Sequence, residues 1–320
     1  MNTAESRNNV KNSVSRVVIA AIAIIIQVIW IYNFAVYLTK YYAAFSTIIS
    51  LIAFICVLRI FGRQDNSAFK ISWIVLILIF PVFGLIIYLL FGRPSLLKTA
   101  HKRFEKVNKH IQTYKLNTEG YKHLKLLDPL HASEAYYLQS LDFPVFENTE
   151  IKFYSSTNDA LNAQLEDLNK ATKFIFMEYH AIEDSTAWRQ IEDILIKKAK
   201  EGVDVRVFYD DMGSIGFINN KFRARLHEEG IQCRVFNPIL PFLNVFMNNR
   251  DHRKITVIDG LIGYTGGYNL ADEYFNYTHP YGTWKDSGVR LEGDAVDSLT
   301  KIFFEMWNAS TKGECEDLKP

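Results

Sequence analysis

His252 and Lys254 stand two residues apart in the run Asp251-His252-Arg253-Lys254-Ile255-Thr256-Val257-Ile258-Asp259-Gly260. Period-two alternation runs through this stretch. On an extended strand, side chains at i and i+2 share a face, so an imidazole and an ammonium project together. That pairing suits attack on a phosphodiester. Neutral imidazole is available as a nucleophile near neutral pH, and a fixed cation offsets charge growing on the phosphate oxygens. The run Thr265-Gly266-Gly267-Tyr268-Asn269 follows. Gly266 and Gly267 would let backbone approach a phosphate closely or take a tight turn. Asn269 could donate its amide to the same phosphate. Asp259 falls roughly 23 Å along the strand from His252 at strand spacing, too far to orient its ring.

The spacing His-x-Lys-x4-Asp-x6-Gly-Gly-x-Asn resembles the signature of the phospholipase D superfamily. The surrounding residues resemble the bacterial cardiolipin synthase family within it. They are Glu178-Tyr179, Gly202-Val203-x-Val205-Arg206, Tyr209-Asp210-Asp211-x-Gly213-Ser214, Asn249-Arg250-Asp251 and Asn269-x2-Asp272-Glu273-Tyr274. So does the earlier run Trp73-x6-Phe80-Pro81-x2-Gly84-x3-Tyr88-x2-Phe91-Gly92-Arg93-Pro94. The likeness extends from near residue 40 to about residue 310.

That resemblance implies a membrane-bound phosphatidyltransferase. His252 would attack phosphatidylglycerol, release glycerol, and pass the phosphatidyl group to a second phosphatidylglycerol. It implies no cofactor and no metal. His252, Lys254, Asp259, Asn269 and Asp286 form the expected catalytic set. Within it Asp259 is expected to anchor a turn. Asp286, at the family's Trp-basic-Asp position, is expected to fix the His252 tautomer and stabilise its imidazolium. Such enzymes carry two signatures, one histidine attacking phosphorus and the other handling the proton, whereas one signature occurs here. Either two copies pair as a homodimer, or the chain is one half of a longer synthase; the likeness to a first half favours the latter. Two other readings stand beside this one: a phospholipase D-like hydrolase acting as a dimer, and a catalytically silent membrane protein fragment.

The elements that must carry these residues divide the 320-residue chain in two. Residues 1–95 hold three nearly uncharged runs, 17–38, 43–61 and 71–91, each close to the ~20 residues that span a bilayer. They read as a multi-pass region of the cell membrane. With three spans, Arg7, Lys11, Arg16, Arg59, Arg63 and Lys70 face Lys40, Arg93, Lys98, Lys102, Arg103 and Lys106 across the membrane. That balance selects no orientation by the positive-inside rule. The family resemblance and three unpaired cysteines, Cys56, Cys233 and Cys315, favour a cytoplasmic catalytic part. Residues 96–148 read as a basic linker, in which 96–114 could be an amphipathic helix on anionic lipid or a solvated helix. The net charge of +1 lacks the basic surplus of a nucleic-acid binder.

From residue 149 to 310 the pattern becomes α/β, leaving a tail over 311–320. Strands are expected over 173–180, 203–211, 231–236 and 252–258, and helices over 162–171, 187–200, 220–229 and 300–307. Gly202 and Gly230 terminate two of the helices. Alternating strands and helices argue for a largely parallel sheet. Glu178, Asp210 and Asp211 then sit at strand ends, the favoured place for sites in such sheets. They could bind glycerol hydroxyls or cap loops. The run Pro238-x2-Pro241-Phe242-x2-Val245-Phe246 could form an apolar rim for acyl chains or a loop plug.

Overall fold

The computed structural model describes residues 18, 21–22, 24–36, 42–92, 98–111, 119–141, 143–219, 221–238 and 250–310. They fall into two compact units, one within residues 16–102 and one from Arg103 onward. The rim expected at 238–246 lies outside the described residues beyond Pro238, and so does the tail.

In the first unit residues 24–36 are helical, and the remainder of the expected 17–38 run is described only in part. Three helices follow: α1 (Tyr42–Phe61), α2 (Ser67–Ile79) and α3 (Pro81–Phe91). Among the described residues no helix is long and apolar enough to cross a membrane. The expected span over 71–91 is therefore corrected, and the cause is Pro81. Proline lacks an N–H and its ring clashes with the preceding turn, so α2 ends at Phe80 (φ −128°, ψ 76°) and α3 starts anew. The two legs fold back on each other, with the Trp73 and Tyr88 rings 5.4 Å apart. Gly84 permits this close approach, because a Cβ there would lie 2.7 Å from the Ile77 Cα.

The second unit is a seven-stranded sheet in the order β1-β7-β6-β5-β2-β3-β4. Its strands are β1 (Thr149–Tyr154), β2 (Phe174–Tyr179), β3 (Asp204–Asp210), β4 (Gln232–Phe236), β5 (Lys254–Ile258), β6 (Ile262–Gly266) and β7 (Gly288–Gly293). Helices α4 (Lys98–Ile111), α5 (Glu119–Leu127) and α6 (Pro129–Ser140) precede them. Helices α7 (Thr157–Lys170), α8 (Thr186–Lys200), α9 (Phe222–Glu228) and α10 (Val296–Ala309) complete the unit.

Only β2–β3 and β3–β4 run parallel; β5 joins β2 antiparallel, and β6, β7 and β1 continue antiparallel. The sheet is mixed, which corrects the expectation of a largely parallel one. A right-handed crossover helix produces a parallel neighbour, as α8 does between β2 and β3. β5 turns straight into β6 at Asp259-Gly260, which makes that pair antiparallel. Both of those residues have positive φ (53° and 72°), the backbone of a tight hairpin turn.

Core side chains cover both sheet faces. Ile175, Met177 and Tyr179 pack with Leu161, Trp188 and Leu195 of α7 and α8. On the reverse face Phe176, Ile255 and Val257 pack with Phe303 and Trp307 of α10. Val107 and Ile111 of α4 belong to that same cluster. Arg103 of α4 donates to the Ala309 carbonyl at 3.0 Å. The basic helix expected near 96–114 thus spends its apolar stripe on the domain core rather than on lipid.

Candidate active site

β2 and β5 position the site through their register. Tyr179 pairs with Lys254, and the ladder continues past the strand ends with the His180 N–H donating to the Arg253 carbonyl at 3.1 Å. His252 therefore sits where β5 begins and β2 ends. Its side chain is exposed, while Lys254 is buried. The Lys254 ammonium donates to the backbone carbonyl of His252 at 2.8 Å, which holds the cation beside the residue that carries the imidazole. Below them Thr256 meets Tyr179 Oη at 3.0 Å and accepts from Gln164 of α7 at 2.8 Å. This network fixes the floor of the site.

Three influences hold the His252 imidazole below its ordinary pKa. Partial desolvation is the largest, then the Lys254 ammonium, then His180. A lowered pKa keeps the ring neutral, the form that attacks phosphorus. Lys254 is itself lowered by burial, against the pull of Asp251 and Asp286.

His180 is the residue the sequence reading overlooked. Its ring lies 4.7 Å from the His252 ring, centroid to centroid. Its Nδ1–H donates to the Asp251 carbonyl at 2.7 Å, which leaves Nε2 for a ligand. The available signal was its position one residue beyond a strand that ends in Glu178-Tyr179. Glycine at 213 is required beside it, because a Cβ there would lie 2.1 Å from the His180 carbonyl oxygen.

Two of the acidic residues at the strand ends, Asp210 and Glu178, are engaged by groups of the protein itself. Asp210 is fully buried. It accepts from the Met212 and Gly213 N–H groups, from Arg250 at 3.0 Å, and from the Asp251 N–H at 2.9 Å. It ties β3 to the segment that carries His252. Glu178 is also fully buried, and Arg253 reaches its Oε1 at 3.3 Å. Burial, reinforced by the charge of Asp251, pushes Glu178 well above the usual carboxylate range. Its Oε2 and the Asp251 Oδ2 are buried without a hydrogen-bond partner among the described residues. The Glu178 and Asp210 side chains are both closed off from solvent. Asp211, beyond the end of β3, is half-buried.

Other expected site residues are also placed differently. Asn269 is buried; its carbonyl oxygen accepts from the Ala181 N–H at 3.1 Å and its NH2 donates to Tyr274 Oη at 2.7 Å. It pins the segment beyond β6 to the end of β2. Gly266 and Gly267 make room for protein rather than phosphate: a Cβ on Gly266 would meet the Ser287 carbonyl at 2.6 Å, and one on Gly267 would meet Asp286 Oδ1 at 2.1 Å. Asp286 accepts from the Ser287 N–H at 2.8 Å and from Trp284 Nε1 at 3.5 Å. No hydrogen bond joins Asp286 to His252 among the described residues; its charge acts on Lys254 instead.

Asp259 lies at the far end of β5. Its carboxylate accepts from the Thr172, Lys173 and Phe174 N–H groups and from Thr172 Oγ1, at 2.7–2.9 Å. That clamps the start of β2 and removes Asp259 from the catalytic set. Among the described residues no group of three or more His, Cys, Asp or Glu side chains is placed to hold a metal ion.

Residues 165–307 match the family model described as "Cardiolipin synthase, PLD-like domain", and residues 48–93 match "Phospholipase_D-nuclease N-terminal". An uncharacterised protein of Streptococcus mutans serotype c is 36% identical over 265 residues, covering 80% of this chain and 56% of that protein. A cardiolipin synthase of Oceanobacillus iheyensis is 33% identical over 268 residues, 79% of this chain and 54% of that one. The major cardiolipin synthase ClsA of Bacillus subtilis is 32% identical over 266 residues, 80% and 55%. The chain spans about half the length of the curated relatives it matches. It carries a phospholipase D-nuclease N-terminal segment and one cardiolipin synthase PLD-like domain, and over most of its length it resembles the bacterial cardiolipin synthases of the phospholipase D superfamily.

Proposed function

We infer that this chain supplies one half of a phosphatidyltransferase site that joins two phosphatidylglycerols at a membrane surface. The observation that carries this reading is the exposed His252 imidazole with the Lys254 ammonium held on its own carbonyl. Likeness to proteins named cardiolipin synthase supports the substrate class.

In the first step an imidazole nitrogen of His252 bonds to phosphorus and the bond to the glycerol oxygen breaks; that oxygen takes up a proton and glycerol leaves. In the second, the free hydroxyl of another phosphatidylglycerol gives up its proton. Its oxygen then bonds to phosphorus, and His252 is released. Lys254 offsets the charge on the non-bridging oxygens in both steps.

The proton needs its own donor opposite the nucleophile, because attack and departure are in line through phosphorus. His180 does not meet that requirement. A ring 4.7 Å from the His252 ring leaves no space for phosphorus and its two apical ligands between them. His180 instead suits a non-bridging oxygen. The donor then comes from a second PLD-like half, such as another copy of this chain.

The test is turnover in phosphatidylglycerol vesicles, with lipid products separated and glycerol counted. Cardiolipin and glycerol are expected in equal amounts from the wild-type chain, and neither from His252→Ala. Phosphatidic acid without cardiolipin would make the chain a hydrolase, with water as acceptor. Cardiolipin formation unchanged in His252→Ala would remove the mechanism altogether.

A further inference from the structure

The hairpin of α2 and α3 presents an apolar exterior, including Ile71, Val75, Leu78, Ile79 and Phe80, that no other described residue of its unit covers. We propose that this hairpin dips into a lipid bilayer from one face and returns to the same face, with Phe80 and Pro81 at its deepest point and the flanking cationic residues on the cytoplasmic side.

Length decides between dipping and crossing. The legs hold 13 and 11 residues, which at 1.5 Å per residue reach roughly 16–20 Å. The hydrocarbon core is about 30 Å thick. Neither leg traverses it, and the antiparallel contacts Trp73–Tyr88 and Ile77–Gly84 bring both ends of the hairpin together. The turn keeps two backbone hydrogen bonds, from the Phe80 N–H to the Leu76 carbonyl and from the Gly84 N–H to the Phe80 carbonyl, and Pro81 has no N–H to satisfy.

The surface chemistry is graded along the hairpin. At the tip Leu78, Ile79 and Phe80 are 57%, 62% and 56% exposed. No ionisable side chain other than Tyr88 occurs from Ile71 to Phe91. The base is different. Arg63 pairs with Asp65 at 2.8 Å and donates to Tyr88 Oη at 3.1 Å. The Lys70 ammonium donates to the Arg63 carbonyl at 3.0 Å. Trp73 and Tyr88, whose rings touch just above these cations, have the amphipathic character of residues at the level of lipid headgroups. An apolar tip over a cationic, aromatic base complements one leaflet of an anionic membrane and no protein surface as simply.

Sidedness follows from the fold-back. With a crossing helix, Arg59, Arg63 and Lys70 oppose Arg93, Lys98, Lys102, Arg103 and Lys106, and the charges nearly cancel. With a re-entrant hairpin all eight of these residues lie on one face. Such an excess marks the cytoplasmic face.

Single cysteines test this in the full chain in its native membrane, read as labelling above the parent, whose own cysteines are Cys56, Cys233 and Cys315. Gln64→Cys and Lys102→Cys flank the hairpin, and both positions are exposed. With an impermeant maleimide, both are expected to react in inside-out vesicles and neither in intact spheroplasts. Phe80→Cys is expected to resist from both sides until detergent is added. Ile79→Cys repeats the tip measurement should Phe80→Cys accumulate poorly. Labelling of Gln64→Cys and Lys102→Cys from opposite sides would show a crossing helix and overturn the proposal. So would ready labelling of either tip cysteine in intact membranes. Reaction of both flanks only from outside would overturn the cytoplasmic assignment.

Discussion

The ammonium of Lys254 governs when the His252 imidazole is available. Desolvation, Lys254 and His180 all lower the pKa of that ring, so its neutral form persists to more acid pH than an unperturbed histidine allows. The acid limb of phosphohistidine formation, measured in a single turnover with labelled lipid, is expected below the ordinary imidazole range. Lys254→Met removes one of the three influences. Its acid limb should move to higher pH, and its plateau rate should fall by on the order of 10²-fold, the effect of deleting one charge-stabilising donor. A limb that stays in place or moves lower would disconnect Lys254 from the nucleophile. Reading the residues alone identified this pair because alternation puts positions i and i+2 on one face whatever the neighbours. It could not place His180, Asn269 or Asp286, because their roles depend on cross-strand register. His180 meets His252 only through the pairing of Tyr179 with Lys254. Asn269 likewise spends its amide on Ala181 and Tyr274, contacts that the spacing of the motif does not reveal.

Individual elements carry the rest of the motif. Asp259 is a clamp between the β5–β6 turn and the start of β2, accepting four hydrogen bonds through one carboxylate. Burial works against its charge, but the bonds from Phe174, Lys173 and Thr172 win and hold its pKa below the usual value. Asp259→Ala should lower stability by about 2–4 kcal/mol, since bonds to a charged group contribute roughly 1.5–3 kcal/mol each and do not add fully. Urea melts would measure this. A carboxyl with a depressed pKa stabilises above its unfolded pKa and loses that effect as pH falls through its folded one. The gap between wild type and variant should therefore narrow in acid. The rate per folded molecule should stay unchanged; a loss of turnover with intact folding would return Asp259 to the chemistry. Helices were more legible than strands here. The periodicity over 187–200 and the stop at Gly202 foretell α8, which spans Thr186–Lys200 with Gly202 at φ 92°. Strands β6 and β7 escaped because each contains Gly and little alternation, so their burial comes from neighbours rather than from their own pattern.

At the scale of the whole molecule, the described fold provides the exposed His252 imidazole with a cation bound at its carbonyl, while in-line phosphoryl transfer needs two proton-competent groups on opposite sides of phosphorus. The pairing of PLD-like halves resolves that mismatch, and mixing tests whether a second copy is the other half. Wild-type and His252→Ala chains would be combined in equal amounts before reconstitution, with total protein held constant. Suppose each site needs one His252 from each of two identical chains in a symmetric pair. Random pairing then leaves roughly one quarter of the pairs fully equipped, and cardiolipin formation should fall to about a quarter of the wild-type value. Chains that turn over alone would retain about half. The two outcomes differ by a factor of about two, well within the reach of product counting. The result also bears on His180. Activity at half would mean that one chain holds both groups, and His180, 4.7 Å from His252, would then have to move to the far side of phosphorus to serve as the donor.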